Sequence, residues 1–251
     1  MQNRSVYIDA LEAIRSENIF KVTLCCCFFS CKEDYEEIIQ HLHPQERNYY
    51  DTLAFEKRIR SYLLGRLVAK QAIAALTGEK ILTHINIQYG IFKQPIVVSD
   101  KQNIQVSITH CDDFGAAIAF PEAHPMGIDI EKINPHTADV LKRQITEAEE
   151  ERIHLSVLSY ELGLTLLWTA KEALSKVLKT GLMTPFEVFE ISKIEPHDNY
   201  IMCYYKNFAQ YRVISFTIAN YMCSIAHPLK SELSFDIQCL KAKFGSVNYF
   251  G

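Results

Sequence analysis

Two stretches decide the reading of this chain: Gly127-Ile128-Asp129-Ile130-Glu131-Lys132 and Trp168-Thr169-Ala170-Lys171-Glu172-Ala173-Leu174-Ser175-Lys176. In the first, Ile128 and Ile130 alternate with Asp129 and Glu131, which predicts a short strand with both carboxylates on one face. In the second, Leu167, Ala170, Leu174, Val177 and Leu178 form an apolar helical stripe, with Glu172 and Lys176 one turn apart on another face. If this strand packs on this helix, three carboxylates and two lysines converge. Carboxylate oxygens are what Mg²⁺ takes, commonly shared with substrate phosphates. Lysines beside them suit a multiply charged anion. Each piece also has an ordinary reading, as a strand with one solvated face and as an i,i+4 ion pair worth roughly 0.2–0.5 kcal/mol.

Working outward, residues 5–13 read as a short element and 19–30 as a strand, 33–42 and 55–76 as helices, and 82–89 and 94–99 as extended. Residues 103–109 and 115–120 read as neighbouring strands joined at Cys111-Asp112-Asp113. A carboxylate-rich helical region at 139–160 precedes the motif helix at 161–179, for which Gly181 is the expected cap. Strands are expected at 186–194, 200–205, 211–218 and 221–227, while 228–251 has no assignment. No internal repeat is legible.

The order and spacing of the two acidic stretches resemble the signature of the 4′-phosphopantetheinyl transferases: a Gly-x-Asp-x-Glu strand, then an aromatic-x-x-Lys-Glu-x-x-x-Lys helix. Gly127, Asp129, Glu131, Trp168, Lys171, Glu172 and Lys176 all match. Upstream, Lys93-Gln94-Pro95 and Val106-Ser107-Ile108-Thr109-His110 are similar to the Gly-Lys-Pro turn and Ser-His strand of the surfactin-type branch. Arg60 to Arg66 resembles that branch's first helix, and Gly181-Leu182 its Gly-Leu turn. Two positions depart: Gln94 stands at the lysine before proline, and Thr109 replaces serine.

This resemblance implies an α+β fold of two similar α/β halves about a pseudo-twofold axis, with residues 1–122 as the first half and 123–251 as the second. The activity implied is transfer of the phosphopantetheine arm of coenzyme A to a serine of an acyl or peptidyl carrier protein, releasing 3′,5′-adenosine diphosphate. Asp129, Glu131 and Glu172 would hold Mg²⁺, or Mn²⁺, which accepts the same ligands. Asp129, Glu172 and Lys176 are the expected catalytic residues, and Glu172 would accept the serine proton directly or through water. Arg60, Lys93, Thr109, His110, Lys171 and Lys176 would bind coenzyme A. Trp168 is read as packing. The carrier is expected on the apolar part of Ile145–Leu167, including Leu155 and Leu158. The same branch implies a monomer serving secondary metabolism, with polyketide or non-ribosomal peptide carriers among its substrates.

Composition is ordinary for a soluble globular protein: 48% apolar, 22% charged and a formal net charge of −4. That acidity argues against general nucleic-acid binding. No apolar run reaches membrane-spanning length, and the N-terminus is unlike a signal peptide, so a cytoplasmic location is expected. Of eight cysteines, Cys25, Cys26, Cys27 and Cys31 cluster without paired Cys-x₂-Cys spacing and read as buried thiols in a reducing compartment. Two other functions fit parts of the pattern. One is a non-catalytic coenzyme A-binding regulator, and the other is a two-metal nuclease or phosphatase.

Overall fold

A computed structural model of the chain describes residues 5–29, 34–99 and 103–245. It divides into two compact units: up to Pro125 together with Glu232–Phe235, and Met126–Ser231 with the stretch from Asp236.

The first unit contains β1 (Ser5–Arg15), β2 (Asn18–Phe28), α1 (Asp34–Gln40), α2 (Pro44–Tyr50), α3 (Glu56–Thr77), β3 (Asn86–Tyr89), β4 (Pro95–Val98), β5 (Ile104–Cys111) and β6 (Phe114–Pro121). The short element expected at 5–13 is a full strand, antiparallel to β2 over all eleven residues of each. From Val22 to Cys27, β2 is buried on both faces, with Cys25 and Cys27 in the core that α3 forms against the sheet. Cys25, Cys26 and Cys27 are each 0% exposed. Burial pushes the Cys25 thiol pKa far up, so that it behaves as a small apolar side chain. All cysteines among the described residues are free thiols, and Cys31 lies outside those residues. The helix α3 buries Leu63, Leu64, Leu67, Val68, Ala72 and Ile73 against this sheet. It ends at Gly78, whose φ of 76° is the left-handed cap conformation that glycine adopts without cost.

The second unit contains β7 (Gly127–Lys132), α4 (Ala138–Lys142), α5 (Glu147–His154), α6 (Tyr160–Leu178), β8 (Ile191–Pro196), β9 (Ile201–Tyr205), β10 (Tyr211–Ile218) and β11 (Tyr221–Pro228). These strands form one antiparallel sheet in the order β7-β11-β10-β9-β8, with α6 packed on β7, β11 and β10. The helical region expected at 139–160 is two helices, since the Thr146–Glu149 capping box starts α5 afresh. The cap expected at Gly181 falls earlier, at Lys179 in the left-handed conformation. After β11 comes β12 (Glu232–Ser234), which pairs with β1 and completes the first unit's sheet in the order β12-β1-β2-β6-β5. The second half is therefore not contiguous from 123 onward. The helix α7 (Ile237–Gly245) then packs Ile237, Leu240 and Phe244 inward, on the β10 side.

The two units repeat one topology. In the first, β2-β6-β5 is covered by α3, and the hairpin β3-β4 follows α3. In the second, β7-β11-β10 is covered by α6, and β8-β9 follows α6. Among the described residues no helix is long and apolar enough to cross a membrane.

Candidate active site

The site is built where β7 meets α6. These two elements approach so closely that a Cβ placed on Gly127 would lie 2.1 Å from the carbonyl oxygen of Ala173. Backbone, not a flexible side chain, blocks the space, which accounts for glycine at the head of the acidic strand. Gly127→Ala is expected to cost about 1–3 kcal/mol, as overpacking does. A urea melt superimposable on the wild type's would contradict the close approach.

That packing buries Asp129 to 4% exposure against the helix. Its Oδ1 accepts from Lys176 Nζ at 2.7 Å, and the same ammonium donates to the Ile128 carbonyl at 2.9 Å. Opposite Asp129 on β11 stands Ser224. Its hydroxyl lies 2.7 Å from both Thr169 Oγ1 of α6 and Ser215 Oγ of β10, a buried hydroxyl chain that ties the helix to the sheet. Glu172 and Glu131 are half-buried. Burial first, and then the charge of Asp129, raise the Glu172 carboxyl from its ordinary 4.5 to about 7, with Lys176 pulling the other way.

This shift has a sign for stability. A carboxyl whose folded pKa is raised stabilises the fold fully below its unfolded value, and that contribution disappears as pH rises through the folded one. Metal-free protein is therefore expected to lose stability between pH 4.5 and 7 on account of Glu172. At 1.36 kcal/mol per decade the loss is at most about 3 kcal/mol. Glu172→Gln should flatten this limb in urea titrations at pH 5 and pH 8 with EDTA present. An unchanged pH dependence in that variant would contradict it.

Asp129, Glu131 and Glu172 suit a hard divalent cation by donor chemistry: all are oxygen ligands, and burial together with the Asp129 and Glu131 charges raises the Glu172 carboxyl. They do not stand as a ready-made set. Among the described residues no three His, Cys, Asp or Glu side chains are grouped to hold a metal ion, and Asp129 is engaged by Lys176.

Lys171 is 0% exposed, and its Nζ donates to Glu149 Oε2 at 2.7 Å and to the Gln144 carbonyl at 2.9 Å. The ammonium is enclosed by these two oxygens and not presented at the surface as a phosphate contact would be. Trp168 stacks on Phe186 with ring centroids 4.8 Å apart and planes 3° from parallel, as a packing residue does.

The other expected contacts lie in the first unit. His110 is exposed on β5, and Thr109 beside it is buried. Arg60 is half-exposed and paired with Asp113. Lys93 is exposed at φ 61° in the turn between β3 and β4. Gln94 closes that turn itself: its carbonyl accepts from Gly90 N at 2.8 Å and its side chain accepts from Phe92 N at 3.0 Å. At the connection from α5 to α6, Leu155 is 81% exposed, while Leu158 packs into the second unit's core.

Sequence reasoning passed over Glu149. Its signal was present in Thr146-x-x-Glu149, the spacing of a capping box.

Residues 125–226 match the family model of the 4′-phosphopantetheinyl transferase superfamily. Enterobactin synthase component D of Escherichia coli O157:H7 is 35% identical over 125 residues, covering 49% of this chain and 56% of that protein. The same component of Salmonella typhimurium is 32% identical over 53% of each chain. The 4′-phosphopantetheinyl transferase gsp of Aneurinibacillus migulanus is 26% identical over 64% of this chain and 61% of its own. A holo-[acyl-carrier-protein] synthase structure from Thermotoga maritima aligns at TM-score 0.29 and 18% identity, covering 56% of this chain and 74% of that one, too distant to carry an argument. The chain spans about half the length of the first curated relatives it matches. The region matched by the family model holds both β7 and α6.

Proposed function

We propose that the protein transfers the phosphopantetheine arm of coenzyme A to a serine hydroxyl of a carrier protein. The serine oxygen bonds to the β-phosphorus, the bond from that phosphorus to the bridging oxygen breaks, and 3′,5′-adenosine diphosphate leaves. The observation that carries this reading is the packing of Asp129, Glu172 and Lys176 between β7 and α6, inside the region that matches the superfamily.

Asp129, Glu131 and Glu172 are the residues that would hold Mg²⁺. When bound, that ion withdraws charge from a pyrophosphate and orients it. The chain's own groups supply the rest. Lys176 already sits beside Asp129 at 2.7 Å, and its ammonium balances charge that develops on a transferring phosphoryl group. Without a metal, burial and the Asp129 charge hold the Glu172 carboxyl up at about 7. In this reading a metal ligand role draws its pKa down, and a water is then the immediate acceptor of the serine proton. His110 and Lys93, both exposed, are the proposed contacts for coenzyme A phosphates, with Thr109 and Arg60 supporting them. The surfactin-type branch, and with it a peptidyl or polyketide carrier, is supported by the Lys93-Gln94-Pro95 and Thr109-His110 blocks.

The test is release of 3′,5′-adenosine diphosphate, followed by liquid chromatography with and without an apo carrier protein. Release only when the carrier is present supports the transferase. Release without carrier would overturn it in favour of a hydrolase, and coenzyme A binding with no release would favour a regulatory module.

A further inference from the structure

The pair made by Lys171 and Glu149 has a counterpart in the other unit, wired through the same atoms, with Arg66 as an added partner of Glu46 at 3.4 Å. In the second unit Glu149 Oε2 accepts from the Thr146 amide at 2.8 Å and from Lys171 Nζ at 2.7 Å, and Oε1 accepts from the Ile191 amide at the start of β8 at 2.8 Å. In the first unit Glu46 Oε2 accepts from the His43 amide at 2.9 Å and from Lys70 Nζ at 2.7 Å, and Oε1 accepts from the Ile87 amide in β3 at 3.0 Å. Each lysine also donates to backbone carbonyls: Lys171 to Gln144, and Lys70 to Leu82 and Ile85. Both glutamates are the third residue of a capping box, and all four side chains are at most 2% exposed.

The neighbours differ. One and five places after Lys171 stand Glu172 and Lys176, whereas one and five places after Lys70 stand Gln71 and Ala75. The pair therefore persists where the acidic chemistry does not, so its work is architectural in both units. In α6 it joins three elements to one lysine: the connection ahead of α5, the first turn of α5 and the start of β8. Glu172 lies about 100° round the helix from Lys171. With Gly127 leaving no slack against Ala173, rotation of α6 is fixed on two sides.

We propose that the Lys171–Glu149 pair sets the rotational register of α6 and so holds Lys176 and Glu172 against β7, making Lys171 a positioning residue and not a ligand of coenzyme A. The catalytic consequence rests on the function proposed above, but the geometric one does not.

The test is a double-mutant cycle on urea stability between Asp129→Asn and Lys176→Met, run in the full chain and repeated in a Glu149→Gln/Lys171→Met background. The coupling between Asp129 and Lys176 is expected to fall by more than half in that background. It should persist in a Glu46→Gln/Lys70→Met background, which breaks the other copy of the pair. Unchanged coupling in the first background would overturn the proposal, as would equal loss in both. Should that background not fold, Glu149→Asp, which shortens the arm by one methylene and keeps both charges, carries the same comparison. In transfer assays the folded Lys171 variant should lose kcat at least tenfold with KM for coenzyme A unchanged. A raised KM with kcat intact would instead make Lys171 a phosphate ligand. A wild type that transfers nothing would end the functional reading and leave the stability cycle standing.

Discussion

Asp129→Ala is expected to lower the rate of carrier modification by roughly 10²–10³-fold, the range found when one preorganised electrostatic group is removed from an active site. Three features make the effect large. Asp129 is 4% exposed, so water does not take its place. Its carboxylate holds Lys176 at 2.7 Å, so its loss also frees the ammonium proposed to meet the phosphate. It is also one of the three carboxylates proposed to hold the cation. The fold should survive, because the Lys176 side chain is 26% exposed and can turn to solvent. Steady-state kinetics alongside a thermal melt separate the two effects. Activity within threefold of wild type in a folded variant would remove Asp129 from the site.

Lys171→Met is expected to destabilise the protein by about 3–5 kcal/mol, the cost of leaving one member of a buried ion pair without its partner. Adding Glu149→Gln should recover part of that loss, so the double variant melts above the single one. The order follows from the wiring. The single variant leaves a carboxylate enclosed at 0% exposure with no cation, whereas the amide of the double variant is neutral and keeps an oxygen for the Ile191 amide. Burial lowers the Lys171 pKa against the pull of Glu149. A single variant as stable as wild type, or a double variant less stable than the single, would contradict the closed pair.

The strand and the helix that carry the candidate site were legible in the residues because their signals are local. The alternation in Gly127–Lys132 specifies a strand, and the stripe from Leu167 to Leu178 specifies a helix. What stayed hidden depends on contacts distant in the chain. Lys171 reads as one more cation in an acidic helix until Glu149, 22 residues earlier, closes on it. The internal repeat is invisible for the same reason. Its two copies share a topology and a buried Lys–Glu pair, but one carries Glu172 and Lys176 where the other carries Gln71 and Ala75. The short β12 joins the first unit's sheet across more than 200 residues, a pairing no local pattern announces. The length of β1 was missed because polar residues facing solvent interrupt its apolar pattern, while its partner β2 supplies the ladder for all eleven residues.

The most direct test of the central claim is the intact mass of an apo carrier protein incubated with this protein, coenzyme A and Mg²⁺. The account predicts a gain of one phosphopantetheine per carrier, abolished by EDTA and by Asp129→Ala. No gain on acyl or peptidyl carriers, with coenzyme A still bound, would contradict it.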